Sequence, residues 1–275
     1  MSVQRLIAAL PLTVLLLLPS GAATAQEAPT PLPLNVPPGP VTRFPTRFDV
    51  VDAPAHFKQV LMIVDFPAGT WTPLHTPGGS VYGTVIEGAI STRTNAGEQA
   101  NSYQAGDTFV EEPGEYVQIG NSSGASARLM ATALLPTNAP LTIYRDGLTS
   151  SAYPTLKDWY SVQDINVDMD GPWTFGRSSV EVDRPSGAFE LVQLLLDLDP
   201  GAATPRHIHG GQEFTVVTAG NVTLQRGDDI HVFGPGESWV NPSGLVHAAG
   251  NDGVDLAEVA ATFLLPAGRP LTTVG

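Results

Sequence analysis

The chain has 275 residues, 42% hydrophobic and 15% charged, which excludes a disordered chain and leaves enough apolar side chain for one large core or two smaller ones. Thirteen Lys and Arg against 27 Asp and Glu give a formal charge of −14, an acidic balance that repels phosphate backbones and argues against nucleic-acid binding. With no Cys, disulfides, thiol nucleophiles, Cys-ligated zinc and iron–sulfur clusters are excluded; 28 Gly and 25 Pro favour short strands and tight turns over long helices.

Met1 to Arg5 carries one positive charge, Leu6 to Leu18 is apolar, and Ala23-Thr24-Ala25 is a small-x-small cleavage site. These features read as a secretory signal peptide over 1–25. The apolar run contains Pro11 and falls short of the ~20 residues a spanning helix needs, so stable membrane insertion is not expected. The expected location is the periplasm or the extracellular medium. Residues 26–44 form a Pro-rich arm with Pro29, Pro31, Pro33, Pro37, Pro38 and Pro40.

The rest of the chain repeats itself. Gly69, His75 and Gly88 fall 132 residues before Gly201, His207 and Gly220. Gly106, Leu134-Leu135-Pro136 and Leu141 fall 130 before Gly236, Leu264-Leu265-Pro266 and Leu271. Fixed-offset glycines and prolines mark backbone turns, so they indicate a duplicated unit. Runs such as Val60-Leu61-Met62-Ile63-Val64 and Phe214-Thr215-Val216-Val217-Thr218 read as strands, and their close spacing predicts an all-β sandwich or barrel in each copy. The expected division is a first unit over 45–145, a linker over 146–178 with a short helix within Tyr153 to Ile165, and a second unit over 179–275.

The chemistry sits in the second copy. His207 and His209 alternate on a strand, so both rings face one side. Glu213 follows a two-glycine turn, and His247 comes after Pro242-Ser243-Gly244. Three imidazoles and a carboxylate brought to one point suit one divalent transition metal: Fe, Mn, Ni, Cu or Zn. The other three histidines, His56, His75 and His231, are read as structural. Strand parity turns Thr215, Val217, Leu245 and Ala249 inward, with Arg206 and Arg226 the nearest cations, which predicts a mostly apolar cavity.

The spacing resembles the cupin family. Gly201, five residues, His207-x-His209, three residues, Glu213, six residues and Gly220 match its first motif. Gly236, five residues, Pro242-x-Gly244, two residues, His247, three residues and Asn251 match its second, with 15 residues between the motifs. The match runs from about Val180 to Thr272. In the first copy Pro77 and Val81 replace the second His and the Glu, and alignment near Pro113 puts Gln118 at the last His. The resemblance implies two tandem cupin barrels (double-stranded β-helix, or jelly-roll), the first without a metal.

Cupins share a fold and a site rather than a reaction, so the substrate rests on local residues. The expected function is that of a secreted metal-dependent oxidoreductase, similar to quercetinase-like dioxygenases. It would act on a small neutral or aromatic organic molecule, with Glu213 as the catalytic proton acceptor. The alternatives are a metal-dependent lyase or decarboxylase of a small organic acid, and a non-catalytic binding protein. Edge strands and the Pro-rich arm are compatible with a homodimer. Two Asn-x-Ser/Thr triplets, at Asn121 and Asn221, read as chance occurrences.

Overall fold

The structure, a computed structural model, describes residues 39–95, 97–145 and 171–275. The expected signal peptide, most of the Pro-rich arm and linker residues 146–170, with the helix expected there, lie outside the described residues.

Among the described residues twenty strands follow one another. The first half contains β1 (Val41–Val50), β2 (His56–Phe66), β3 (His75–Pro77), β4 (Val81–Glu87), β5 (Ala89–Arg93), β6 (Asn101–Gln104), β7 (Thr108–Glu111), β8 (Gln118–Gly120), β9 (Ala127–Pro136) and β10 (Thr142–Tyr144). The second contains β11 (Trp173–Asp183), β12 (Phe189–Leu198), β13 (His207–His209), β14 (Gln212–Ala219), β15 (Val222–Arg226), β16 (Asp229–Phe233), β17 (Ser238–Asn241), β18 (Ala248–Gly250), β19 (Ala257–Pro266) and β20 (Thr272–Val274). No helix among the described residues is long and apolar enough to cross a membrane.

The two halves build matching barrels, each from a five-stranded, a three-stranded and a two-stranded sheet. The first uses β11-β2-β9-β4-β7, β6-β5-β8 and β10-β3; the second uses β1-β12-β19-β14-β17, β16-β15-β18 and β13-β20. The fold is all-β, as the dense punctuation by Gly and Pro predicts. The repeated glycines do the same work twice. Gly88 and Gly220 both take positive φ (67° and 63°), and a Cβ there would sit 2.6 Å from Ser126 O and 2.5 Å from Leu256 O. Only glycine permits both the left-handed turn and the close approach.

The barrels exchange their edge strands. β1 pairs with β12 of the second barrel, and β11 pairs with β2 of the first. Residues 41–44, expected in the arm, and 173–178, expected in the linker, are therefore strand. Periodicity along one strand carries no information about which sheet it joins, so the exchange left no mark in the sequence. In β1 the register shifts between Arg43 and Thr46, and Phe44 takes φ 50°. This bulge lets β1 serve both barrels: the Phe44 ring lies against Gly106 of the first, and Pro45 reaches the interior of the second.

The five-stranded sheets pack against each other. Leu61, Ile63, Met130 and Leu134 from one form a single buried cluster with Leu191, Leu195, Phe214 and Leu264 from the other. Thr132 and Thr262 hydroxyls meet across it at 2.9 Å, and the Gln193 amide is satisfied there too: its Nε2 donates to Thr132 Oγ1 (2.7 Å) and its Oε1 accepts from Thr84 Oγ1 (2.6 Å).

Candidate metal centre

The local backbone of the second barrel places four side chains at one point. His207 and His209 sit on the short strand β13, with Ile208 turned the other way. His247 lies just before β18, and its backbone pairs reciprocally with His207 (N–O 2.9 and 3.0 Å). Glu213 enters from β14 after the Gly210-Gly211 turn, where a Cβ on Gly211 would stand 2.2 Å from Leu264 O. The three imidazoles form one cluster of potential ligand atoms lying within 4.8 Å of one another. His207 Nε2 and His209 Nε2 are 3.2 Å apart. Glu213 carboxylate oxygens lie 3.6 Å from His209 Nε2 and 3.5 Å from His247 Nε2. All four residues are at most 7% exposed.

Each ring is fixed from behind. Nδ1 of His207, His209 and His247 faces the carbonyl of Pro205 (2.8 Å), Leu271 (2.9 Å) and Leu245 (2.9 Å) respectively. A carbonyl accepts only, so each Nδ1 carries the proton and each neutral ring turns its Nε2 lone pair inward. Burial pushes the His209 pKa down to about 4, and a charge on His207 would act in the same direction. Burial likewise pushes His247 down to about 4, with Glu213 opposing the shift. Neutral imidazoles with carbonyl-anchored Nδ1–H beside a carboxylate are the donor set a divalent transition metal requires, so the residues fit one such ion.

Glu213 is itself oriented. Arg226 Nε donates to Asn241 Oδ1 (2.8 Å), which turns the Asn241 amide nitrogen toward Glu213 Oε2 (2.5 Å). Arg226 Nη2 also holds Val240 O at 2.8 Å.

Beside the cluster lies a cavity of about 380 Å³, walled mainly by Leu194, Leu196, Val259, Phe263 and Trp239. The predicted apolar character is present, and Ala249 lines the wall as parity predicts. Thr215 and Val217 do not line it: the Thr215 hydroxyl donates to Trp239 O, and Val217 packs in the core below. Leu245 is absent from the wall as well, its carbonyl serving His247. Arg47, brought by β1, does line the cavity and pairs with Glu190. Sequence reasoning missed Arg47 because strand exchange supplies it.

The comparisons follow this geometry. The profile of the Cupin domain family matches residues 194–263, within the second barrel. Tomato (Solanum lycopersicum) vicilin is similar over 78% of this chain and 77% of its own, with TM-score 0.54 at 11% identity. The chain has the fold of two tandem cupin barrels. A vicilin from Solanum melongena is similar over 79% and 77%, with TM-score 0.53 at 10% identity. Oxalate decarboxylase from Lactobacillus farciminis covers 83% and 88%, with TM-score 0.48 at 14% identity. A search of curated proteins finds no match.

In this two-barrel fold the first barrel keeps the frame of the site without its donors. His75 occupies the place of His207, and its strand partner is Val117, as His247 is the partner of His207. Val117, not Gln118, therefore stands at the last His. Pro113 sits one residue later in its turn than Pro242: Glu111 pairs with Val81 where Asn241 pairs with Glu213, so aligning the prolines shifts the register by one. The last motif residue proves to be a fastener. Asn251 Nδ2 donates to Leu198 O and Asp255 O (2.8 and 2.7 Å), and Asn121 does the same to Phe66 O and Ala125 O (2.9 and 2.6 Å). Asn121 is fully buried, which accounts for its triplet without a glycan. Of the remaining histidines, His56 pairs with Asp183 at the surface and His231 stacks loosely near Phe233.

Proposed function

We propose that the second barrel binds one divalent transition metal through His207, His209, Glu213 and His247. On this reading the protein is an exported metal-dependent oxidoreductase of the dioxygenase type, acting on a small neutral or aromatic organic molecule. The observation that carries the proposal is the convergence of three inward Nε2 lone pairs and a carboxylate on the wall of a largely apolar cavity. Export rests on the signal-peptide pattern of residues 1–25.

When bound, such an ion would supply Lewis-acid and redox chemistry toward a substrate oxygen and dioxygen. The chain's own groups supply the rest. Phe263, Trp239 and the aliphatic wall exclude water and hold a flat apolar body. The Trp239 indole N–H is buried without a protein acceptor among the described residues, so it suits a substrate carbonyl or hydroxyl oxygen. Glu213 Oε2 is held by Asn241, which leaves Oε1 to take a proton from the substrate hydroxyl.

The test joins metal analysis with oxygen uptake. About one metal ion per chain is expected by mass spectrometry, lost in His207→Ala and His247→Ala, together with oxygen consumption on a panel of phenols and diketones. Metal without uptake on any of these would overturn the oxidoreductase reading. Arg47 on the cavity wall favours a second reading, a lyase or decarboxylase of an organic acid, although Glu190 already pairs with it. Anaerobic turnover would select that reading. No metal after reconstitution would leave a binding protein.

A further inference from the structure

The first barrel has a cavity of its own, about 90 Å³, in the position that the metal centre's cavity has in the second. Its walls are mostly aliphatic and aromatic, and Pro77, Val81 and Val117 replace the lost donors. Against these walls stand His75 and Glu111, with the Tyr144 phenol also lining the cavity. His75 Nε2 lies 3.5 Å from Glu111 Oε2, with side chains 11% and 9% exposed. Thr174, 2% exposed, lines the same cavity, and its Oγ1 has no partner among the described residues.

The pair has a definite proton count. His75 Nδ1 faces Pro73 O at 2.8 Å and so carries a proton. A neutral ring would then turn its Nε2 lone pair at a carboxylate across an apolar space, which is repulsive. One proton between Nε2 and Oε2 removes the conflict and makes the pair neutral as a unit. Burial presses the imidazole pKa down, but the Glu111 hydrogen bond and charge outweigh it, and the net direction is upward. An anion entering the cavity would meet the Glu111 carboxylate and a cation would meet the imidazolium, so a neutral ligand is favoured. A hydroxyl group both donates and accepts, which serves the carboxylate and the orphaned Thr174 oxygen together.

We propose that the first barrel is a second, metal-free binding site for a small neutral aliphatic alcohol. The hydroxyl of the ligand lies among His75, Glu111 and Thr174, and its apolar body lies against Met62, Leu129 and Ala131. The volume limits the ligand to a few heavy atoms, since a cavity of about 150 Å³ is what benzene occupies.

The test uses the full chain, metal-free, with histidine ring signals followed by NMR during titration with 2-methylpropan-1-ol. 2-Methylbutane, of the same size and shape, is the control without a hydroxyl. We expect saturable shifts of the His75 signals while those of His207, His209 and His247 stay in place. 2-Methylbutane should bind at least about fivefold more weakly. Ala131→Leu, which fills the cavity, should weaken binding at least about tenfold, and Glu111→Gln and Thr174→Val should weaken it with the fold retained by circular dichroism. Absence of a saturable His75 shift would overturn the proposal. So would equal binding of 2-methylbutane, which would mark a simple apolar void, or unchanged binding in Ala131→Leu. Because no metal is present and the two sites have separate signals, this outcome is independent of the function proposed for the second barrel.

Discussion

Glu213 does not stand alone at the candidate centre; Arg226 and Asn241 hold it in a chain of donors that ends at Oε2. Groups that orient a ligand carboxylate typically contribute one to two orders of magnitude to metal affinity. Asn241→Leu is therefore expected to weaken metal binding by about 10–100-fold in competition with a chelator, while the three histidines remain in place. Unchanged affinity would show that the carboxylate needs no support. A second residue-scale effect follows from the imidazoles. His209 and His247 have folded pKa values near 4, below the ordinary 6.5. As pH falls below about 6.5 the unfolded chain takes up protons that the folded chain refuses, so stability present at neutral pH is lost between about 6.5 and 4. For the metal-free protein this amounts to roughly 2 kcal/mol per ring at pH 5. Thermal unfolding at pH 7.5 and pH 5 should show the drop, and His209→Leu should reduce it. An equal drop in that variant would assign the pH dependence elsewhere.

At the scale of elements, the turns that frame the site were legible because glycine is required for a physical reason. Gly220 combines positive φ with a Cβ position 2.5 Å from Leu256 O. Gly220→Ala should lower stability by about 1–3 kcal/mol in denaturant unfolding, and a change below 0.5 kcal/mol would mean that the turn relaxes at little cost. The same kind of signal made His207, His209, Glu213 and His247 readable as one cluster, since strand alternation fixes which side chains share a face. It failed for Val117, where one displaced proline misled the alignment, and for Leu245, where counting outward from His247 crossed a turn. It failed most fully for Arg47. A strand's own pattern says which face is apolar, but nothing in β1 states that its partner is β12, whose nearest paired residue in sequence (Phe189, against Val50) is 139 positions away. The sequence marks Arg226 only as a nearby cation; its path through Asn241 depends on the register of β14 on β17.

At the scale of the whole molecule, strand exchange makes each barrel incomplete without the other half of the chain. The second barrel's five-stranded sheet ends in β1, and Arg43 of that strand bridges Asp197 and Glu258. Its outer face, with Leu191, Leu195, Phe214 and Leu264, is covered by the first barrel. A fragment of residues 184–275 would contain all four candidate ligands yet expose that apolar face and the unpaired edge of β12, a template for intermolecular pairing. Such a fragment is expected to aggregate or remain unfolded, and the intact chain to unfold in a single calorimetric transition, because the shared cluster and the exchanged strands couple the two barrels. Size-exclusion chromatography of the fragment and calorimetry of the full chain test this directly. A monomeric, folded fragment that binds metal with the affinity of the whole chain would show that the first barrel is dispensable for the site. The opposite result would explain why a barrel that has lost its metal donors keeps its frame: its outer sheet face and the arm that precedes it are structural parts of the neighbouring site.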